Sequence, residues 1–151
     1  MTDLVAAAWH KHLTTAGEPA RPRATTLQEA FIALVRAAHA EPQLRQLYPW
    51  MGMWELHFSR CTEGRPTWDI PYAGTAGDDR YYIEGPSPSS PRIAGTESPW
   101  EAVAMVIERL PEGCGPAFVG SAEDLVAYAR AHGLKEERAR PRHERAQRIK
   151  P

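Results

Sequence analysis

Apolar positions recur every three or four residues through the first third of the chain, and the period falls to two near Met53. Leu4, Val5, Ala8, Trp9 and Leu13 share one face of a helix predicted over residues 3–16, which Gly17 and Pro19 end. Thr26-Leu27-Gln28-Glu29 has the form of a capping box, in which the hydroxyl and the carboxylate serve otherwise unpaired backbone N–H groups. It opens a second helix to about Ala40, with Leu27, Ala30, Phe31, Leu34, Val35 and Ala38 as its stripe. Pro42 starts a short helical turn, and Pro49 is expected to stop it.

Beyond Met53, Trp54, Leu56 and Phe58 alternate with Glu55, His57 and Ser59, the pattern of a half-buried strand. CTEGRP reads as a turn. Trp68, Ile70 and Tyr72 then alternate with Thr67, Asp69 and Pro71 in a second strand, placed near an edge by Pro71. Residues 80–84 form a third strand and 92–96 a short fourth, joined by the Pro/Ser-rich PSPSSP. Ser98 as N-cap, Pro99 as first helical residue and Glu101 start another helix, with Ala102, Val103, Val106, Ile107 and Leu110 facing inward. PAFVG is expected as a short buried strand, and residues 121–124 cap a last helix that ends at Gly133. This order predicts an α+β fold: an antiparallel sheet of four or five strands, with two N-terminal and two C-terminal helices packed mainly on one face.

A chain of 151 residues suits one domain, expected over residues 1–134. Apolar residues make up 42% and charged residues 25%, ordinary for a globular protein, and the formal net charge of −1 gives no global pull toward nucleic acid or anionic lipid. No apolar run approaches the ~18 residues that span a bilayer. Asp3 and the His10-Lys11-His12 break do not suit a signal peptide. A cytoplasmic protein without membrane association is expected, with Cys61 and Cys114 as free thiols. Residues 135–151 hold seven Lys/Arg against three Glu and one aliphatic residue, Ile149. They read as a basic tail, disordered or a frayed helix, offering nucleic acid at most a weak electrostatic handle.

A turn centred near Glu63 pairs Trp54 with Tyr72, Leu56 with Ile70 and Phe58 with Trp68 on the apolar face of a hairpin. The opposite face then sets His57 beside Asp69 and Ser59 beside Thr67, within cross-strand reach. An imidazole held by a carboxylate is a common general base. Tyr82 would add a proton donor, Arg80 and Arg92 anion clamps and Ser59 a further polar contact, with Glu84 on the same side. The plain alternative is a solvent-facing polar surface carrying an ion pair. Cys61 lies between Arg60 and Arg65, which would favour a thiolate, yet no nucleophile signature surrounds it, and an incidental thiol is the simpler expectation. His10 and His12 cannot converge on one metal from a helix. No metal, phosphate-loop or dinucleotide motif occurs in the sequence, so neither metal nor cofactor is expected.

The segments YPWMGMWELHFSR, TWDIPY and EAVAMVIERLPEGCGPAFVGSAEDL together resemble a family of short actinomycete proteins of unknown function that carry the label of natural-product biosynthesis proteins. The resemblance spans roughly residues 44–128, and its most specific part is Leu110–Ala117, with the pattern LP-x-G-x-GPA. It implies association with specialised-metabolite genes and implies no reaction. The leading expectation is therefore an accessory protein that binds a small molecule, a precursor peptide or a pathway enzyme. A small cofactor-independent enzyme using His57 and Asp69, and an immunity-type or regulatory interaction module, are the alternatives.

Overall fold

Phe31, Leu34, Val35 and Ala38, the stripe of the second expected helix, become the centre of the core. The computed structural model describes residues 3–16, 26–77, 80–86 and 92–133; the basic tail expected from Lys135 lies outside them. The elements are α1 (Leu4–Ala16), α2 (Thr26–Ala40), α3 (Pro42–Arg45), β1 (Tyr48–Gly52), β2 (Glu55–Ser59), β3 (Tyr72–Gly77), β4 (Arg80–Glu84), β5 (Ala94–Thr96), α4 (Pro99–Glu108) and α5 (Ala122–Ala131). The strands lie in the sheet in sequence order, and each pairs antiparallel with the next. The architecture is the expected α+β fold.

One face of the sheet supplies Leu56, Phe58, Ala73, Tyr81 and Ile83 to the buried cluster, where they meet Trp9 of α1, the α2 stripe, and Val103 and Val106 of α4. Tyr81 satisfies its hydroxyl inside this core by donating to the Ala30 carbonyl at 2.9 Å. The helix starts follow their signals. Ser98 accepts from the Glu101 N–H to open α4, and Ser121 with Asp124 forms a full capping box on α5.

β1 departs from expectation. Pro49 does not end a helical turn but sits inside an edge strand, where its missing N–H would have faced away from β2. Its carbonyl accepts from His12 Nε2 at 3.2 Å, and the Leu47 carbonyl accepts from Trp9 Nε1 at 3.0 Å. Helix α1 thereby closes the outer edge of the sheet. The loop from β1 to β2 is Met53–Trp54, with both residues at positive φ, 52° and 64°, as a tight two-residue hairpin requires.

The second strand is also displaced. β3 begins at Tyr72, where the expected strand ended, and its register sets Gly74 against Glu55 and Ala73 against Leu56. Trp68 stands at φ 53°, which breaks the extended run, and residues 60–71 form the loop between the adjacent strands β2 and β3. The expected PAFVG strand reduces to one parallel bridge between Phe118 and Cys61, and Val119 is exposed.

Candidate functional site

Alternation sends Trp50, Glu55, His57, Tyr72, Tyr82 and Glu84 to the face of the sheet away from the core. Trp50 and His57 are cross-strand partners, and their rings stack with centroids 3.9 Å apart and planes 16° apart. Tyr72 stacks on the other side of His57 at 4.2 Å and 26°. Trp68 closes the stack edge-on, 5.3 Å from Trp50 and 5.5 Å from His57, each at 78°. The left-handed backbone at Trp68 is what brings its indole here rather than into the core. His57 is left only 6% exposed.

Hydrogen bonds around Glu55 and around Glu84, linked by Arg92 over the Tyr82 ring, form a polar circuit on this face. His57 Nε2 lies 3.2 Å from Glu55 Oε1, and the Tyr82 hydroxyl donates to Glu55 Oε2 at 2.8 Å. The Tyr72 hydroxyl donates to Glu84 Oε2 at 3.2 Å. Arg92 donates from Nε and Nη2 to Glu84 Oε1 at 3.2 and 3.1 Å, while its guanidinium lies 4.4 Å over the Tyr82 ring. Gly74 makes this possible, because a Cβ there would stand 2.6 Å from Tyr82 Cζ and Oη.

Burial holds the His57 imidazole below its usual pKa, against the opposing pull of Glu55, so the neutral ring donates its Nε2 proton to that carboxylate. Burial, followed by the charges of Glu55 and Glu84, pushes the Tyr72 phenol up to about 12. Tyr82 is raised further, by burial and its bond to Glu55. The protons of His57, Tyr72 and Tyr82 are thus held in place, whereas Trp50 Nε1 is buried with no hydrogen-bond partner among the described residues.

The expected pairing of His57 with Asp69 is corrected. Asp69 accepts from Arg60 Nη1 at 2.9 Å and from the Thr67 hydroxyl at 2.7 Å, with its side chain 1% exposed. The cause is the register: Leu56 faces Ala73, so Tyr72 takes the position opposite His57 and Asp69 falls short of it, in the loop before β3. Ser59 is also buried. Its hydroxyl accepts from the backbone N–H groups of Cys61 and Thr67, both at 3.3 Å, and so ties the β2–β3 loop to β2. Cys61 is buried beside it, and burial raises its thiol pKa, the reverse of nucleophile activation. Cys61 and Cys114 form no disulfide with each other.

Arg80 and Arg92 reach the same side of the molecule as Tyr82. With Ala76, Gly95, Thr96 and Glu97 they line a groove of about 420 Å³ beside the circuit. Arg80 is mostly exposed and lies 3.9 Å from Glu97. A larger cleft of about 590 Å³ opens between α1, α3 and residues 116–119. It is chiefly apolar, and two of its polar groups are already engaged, Trp9 Nε1 with the Leu47 carbonyl and Arg45 Nη1 with the His39 carbonyl.

Trp50 and the role of Glu55 are the parts of the site that sequence reasoning missed. Trp50 was hidden because Pro49 reads as a stop and the alternation predicts no strand before Met53. Glu55 was discoverable, because two-residue spacing places it beside His57 on one strand face. Among the described residues, no group of three His, Cys, Asp or Glu side chains is placed to hold a metal ion, and no helix is long and apolar enough to cross a membrane.

The model of a family of unknown function (DUF6193) matches residues 3–121. No curated protein and no solved structure matches the chain.

Proposed function

We propose a ligand-binding role for this chain, which belongs to the family of unknown function (DUF6193) whose model it matches. The ligand lies in the groove beside Tyr82 and presents a carboxylate or phosphate to Arg80 and Arg92. One observation carries this: His57, Asp69 and Tyr82 are all committed to other side chains, whereas Arg80 is largely exposed and Arg92, though bonded to Glu84, keeps more than half of its side chain open to solvent. Arg92 is fixed through Glu84 and the Tyr82 ring, so little side-chain freedom is lost when a ligand arrives. The charged residues lining the groove are two arginines and one glutamate; Arg92 is paired with Glu84 and Arg80 lies near Glu97, so an anion would meet the exposed edges of the two guanidinium groups rather than a net positive charge.

The resemblance in residues 44–128 favours a ligand from specialised metabolism, a small acidic molecule, a precursor peptide or a partner enzyme, and an accessory role in such a pathway. An enzymatic role for His57 with Asp69 draws no support from the geometry, since their hydrogen bonds go to Glu55 and to Arg60 with Thr67.

The test is a thermal-shift screen of aliphatic and aromatic carboxylates and phosphate esters. Binding should vanish in the Arg80→Ala/Arg92→Ala double variant and persist in Arg109→Ala, which alters an arginine on α4's C-terminal end. A hit that survives the double variant places the ligand elsewhere and defeats the proposal.

A further inference from the structure

The two outer strands of the sheet are treated differently. At β1, Pro49 removes an outward N–H, and His12 and Trp9 of α1 occupy outward carbonyls. β5 pairs only with β4 among the described residues. Backbone groups alternate in direction along a strand, so part of β5 presents N–H and C=O groups away from β4. Gly95 at its centre is exposed, and a Cβ there would meet nothing closer than the Tyr81 carbonyl oxygen at 3.6 Å. The residues that precede and follow the strand in sequence include two exposed large apolar side chains, Ile93 at 36% and, at the start of α4, Trp100 at 57%. The arginine groove borders this same strand through Gly95 and Thr96.

We infer that the ligand of this groove is an extended peptide, which adds to β5 as a sixth strand and sends an acidic side chain across Gly95 to Arg80 and Arg92. The inference rests on the groove reading given above and narrows it to one ligand class. Strand addition supplies affinity through main-chain hydrogen bonds, and the side chains that alternate over the groove supply selectivity. A neighbouring strand sets side chains about 4.5–5.5 Å from their partners at Cβ. A residue opposite Gly95 therefore has open space in front of it and two guanidinium groups around it. The exposed guanidinium edges of Arg80 and Arg92 favour an acidic over a basic side chain at that point.

The experiment uses the intact chain, 15N-labelled, titrated with four probes: an acetylated, amidated Val-Glu-Val-Glu-Val peptide, its Val-Lys-Val-Lys-Val counterpart, the Glu peptide N-methylated at alternate residues, and free glutarate. The Glu peptide should shift the amide signals of Ala94, Gly95 and Thr96. Its Kd should weaken about tenfold or more on N-methylation, which removes main-chain donors while leaving the protein untouched. It should weaken similarly with the Lys peptide and with Arg92→Ala. Equal binding by the N-methylated or Lys peptide overturns the inference. Glutarate binding at Arg80 and Arg92 with no gain for the Glu peptide overturns it too, while leaving the groove reading intact. Silence from both glutarate and the Glu peptide defeats both.

Discussion

The Trp50 indole lies flat on the His57 imidazole, 3.9 Å away, and Tyr72 covers the opposite face of the same ring at 4.2 Å. The histidine that sequence patterning placed at a polar surface is therefore the middle layer of a sandwich spanning three strands. Its replacement by Ala should cost about 2–4 kcal/mol, the scale of deleting a buried ring with its aromatic contacts. Urea unfolding checks this, and a loss near zero would contradict the stack.

The same ring makes stability depend on pH. Its folded pKa lies below the ordinary 6.5, so the unfolded chain takes up the proton first. Stability is then full above about 6.5, falls as pH drops below it, and levels off once the folded ring protonates. His12 and His39, also depressed chiefly by burial, act in the same direction. The melting temperature should fall between about pH 7 and pH 5, and His57→Phe should flatten part of that slope. A wild-type slope retained in full by His57→Phe would assign the effect to other groups.

Arg60 and Asp69 form a pair at 2.9 Å whose carboxylate is almost wholly buried. Arg60→Met should destabilise by about 3–5 kcal/mol, because it leaves that charge in the interior with Thr67 as its remaining partner. The double variant Arg60→Met/Asp69→Leu should recover part of the loss. Equal costs for the single and double variants would mean that the charge itself is unimportant.

Gly74 underlies the Tyr82 ring. Gly74→Ala should displace that ring from Glu55 and cost about 1–3 kcal/mol, the usual range for an overpacked site. The tyrosine ring signals of the variant, read by NMR, should show the displacement. An unchanged Tyr82 environment would disprove the close approach.

Met53 is 90% exposed and stands at φ 52°. Its side chain contributes little packing, while its backbone sits in a region that costs an L-residue about 1–2 kcal/mol. Met53→Gly should therefore raise stability, by about 0.5–1 kcal/mol once glycine's greater freedom in the unfolded chain is counted. A destabilised variant would show that Met53 makes contacts that its exposure conceals.

The helices were legible because their signals are local. Ser98 with Pro99, and Ser121 with Asp124, act within one turn of backbone, and the same residues cap the folded helices. The strand from Glu55 was equally plain from alternation. β1 was not, since a proline in a strand reads as a breaker unless the position is known to face outward, and only the docking of α1 shows that. The register of β3 depended on Trp68, whose positive φ opposes the local preference of its own residue type. Packing against Trp50 and His57 holds it there, and such packing is invisible until the strands are assembled. The site was accordingly half legible. Tyr82, Arg80 and Arg92 do gather with His57's face of the sheet, whereas the carboxylate beside His57 came from its own strand and not from Asp69.

The sealing of β1 by Pro49 and α1 has a consequence at high concentration. A sheet that can recruit strands at both ends behaves as a bifunctional monomer and can polymerise without limit. With one end blocked, the described fold is monofunctional: a strand accepted at β5 terminates growth rather than propagating it. Two such chains joined through β5 would leave only sealed ends outward, so self-association by this route saturates at a pair and does not seed a fibre.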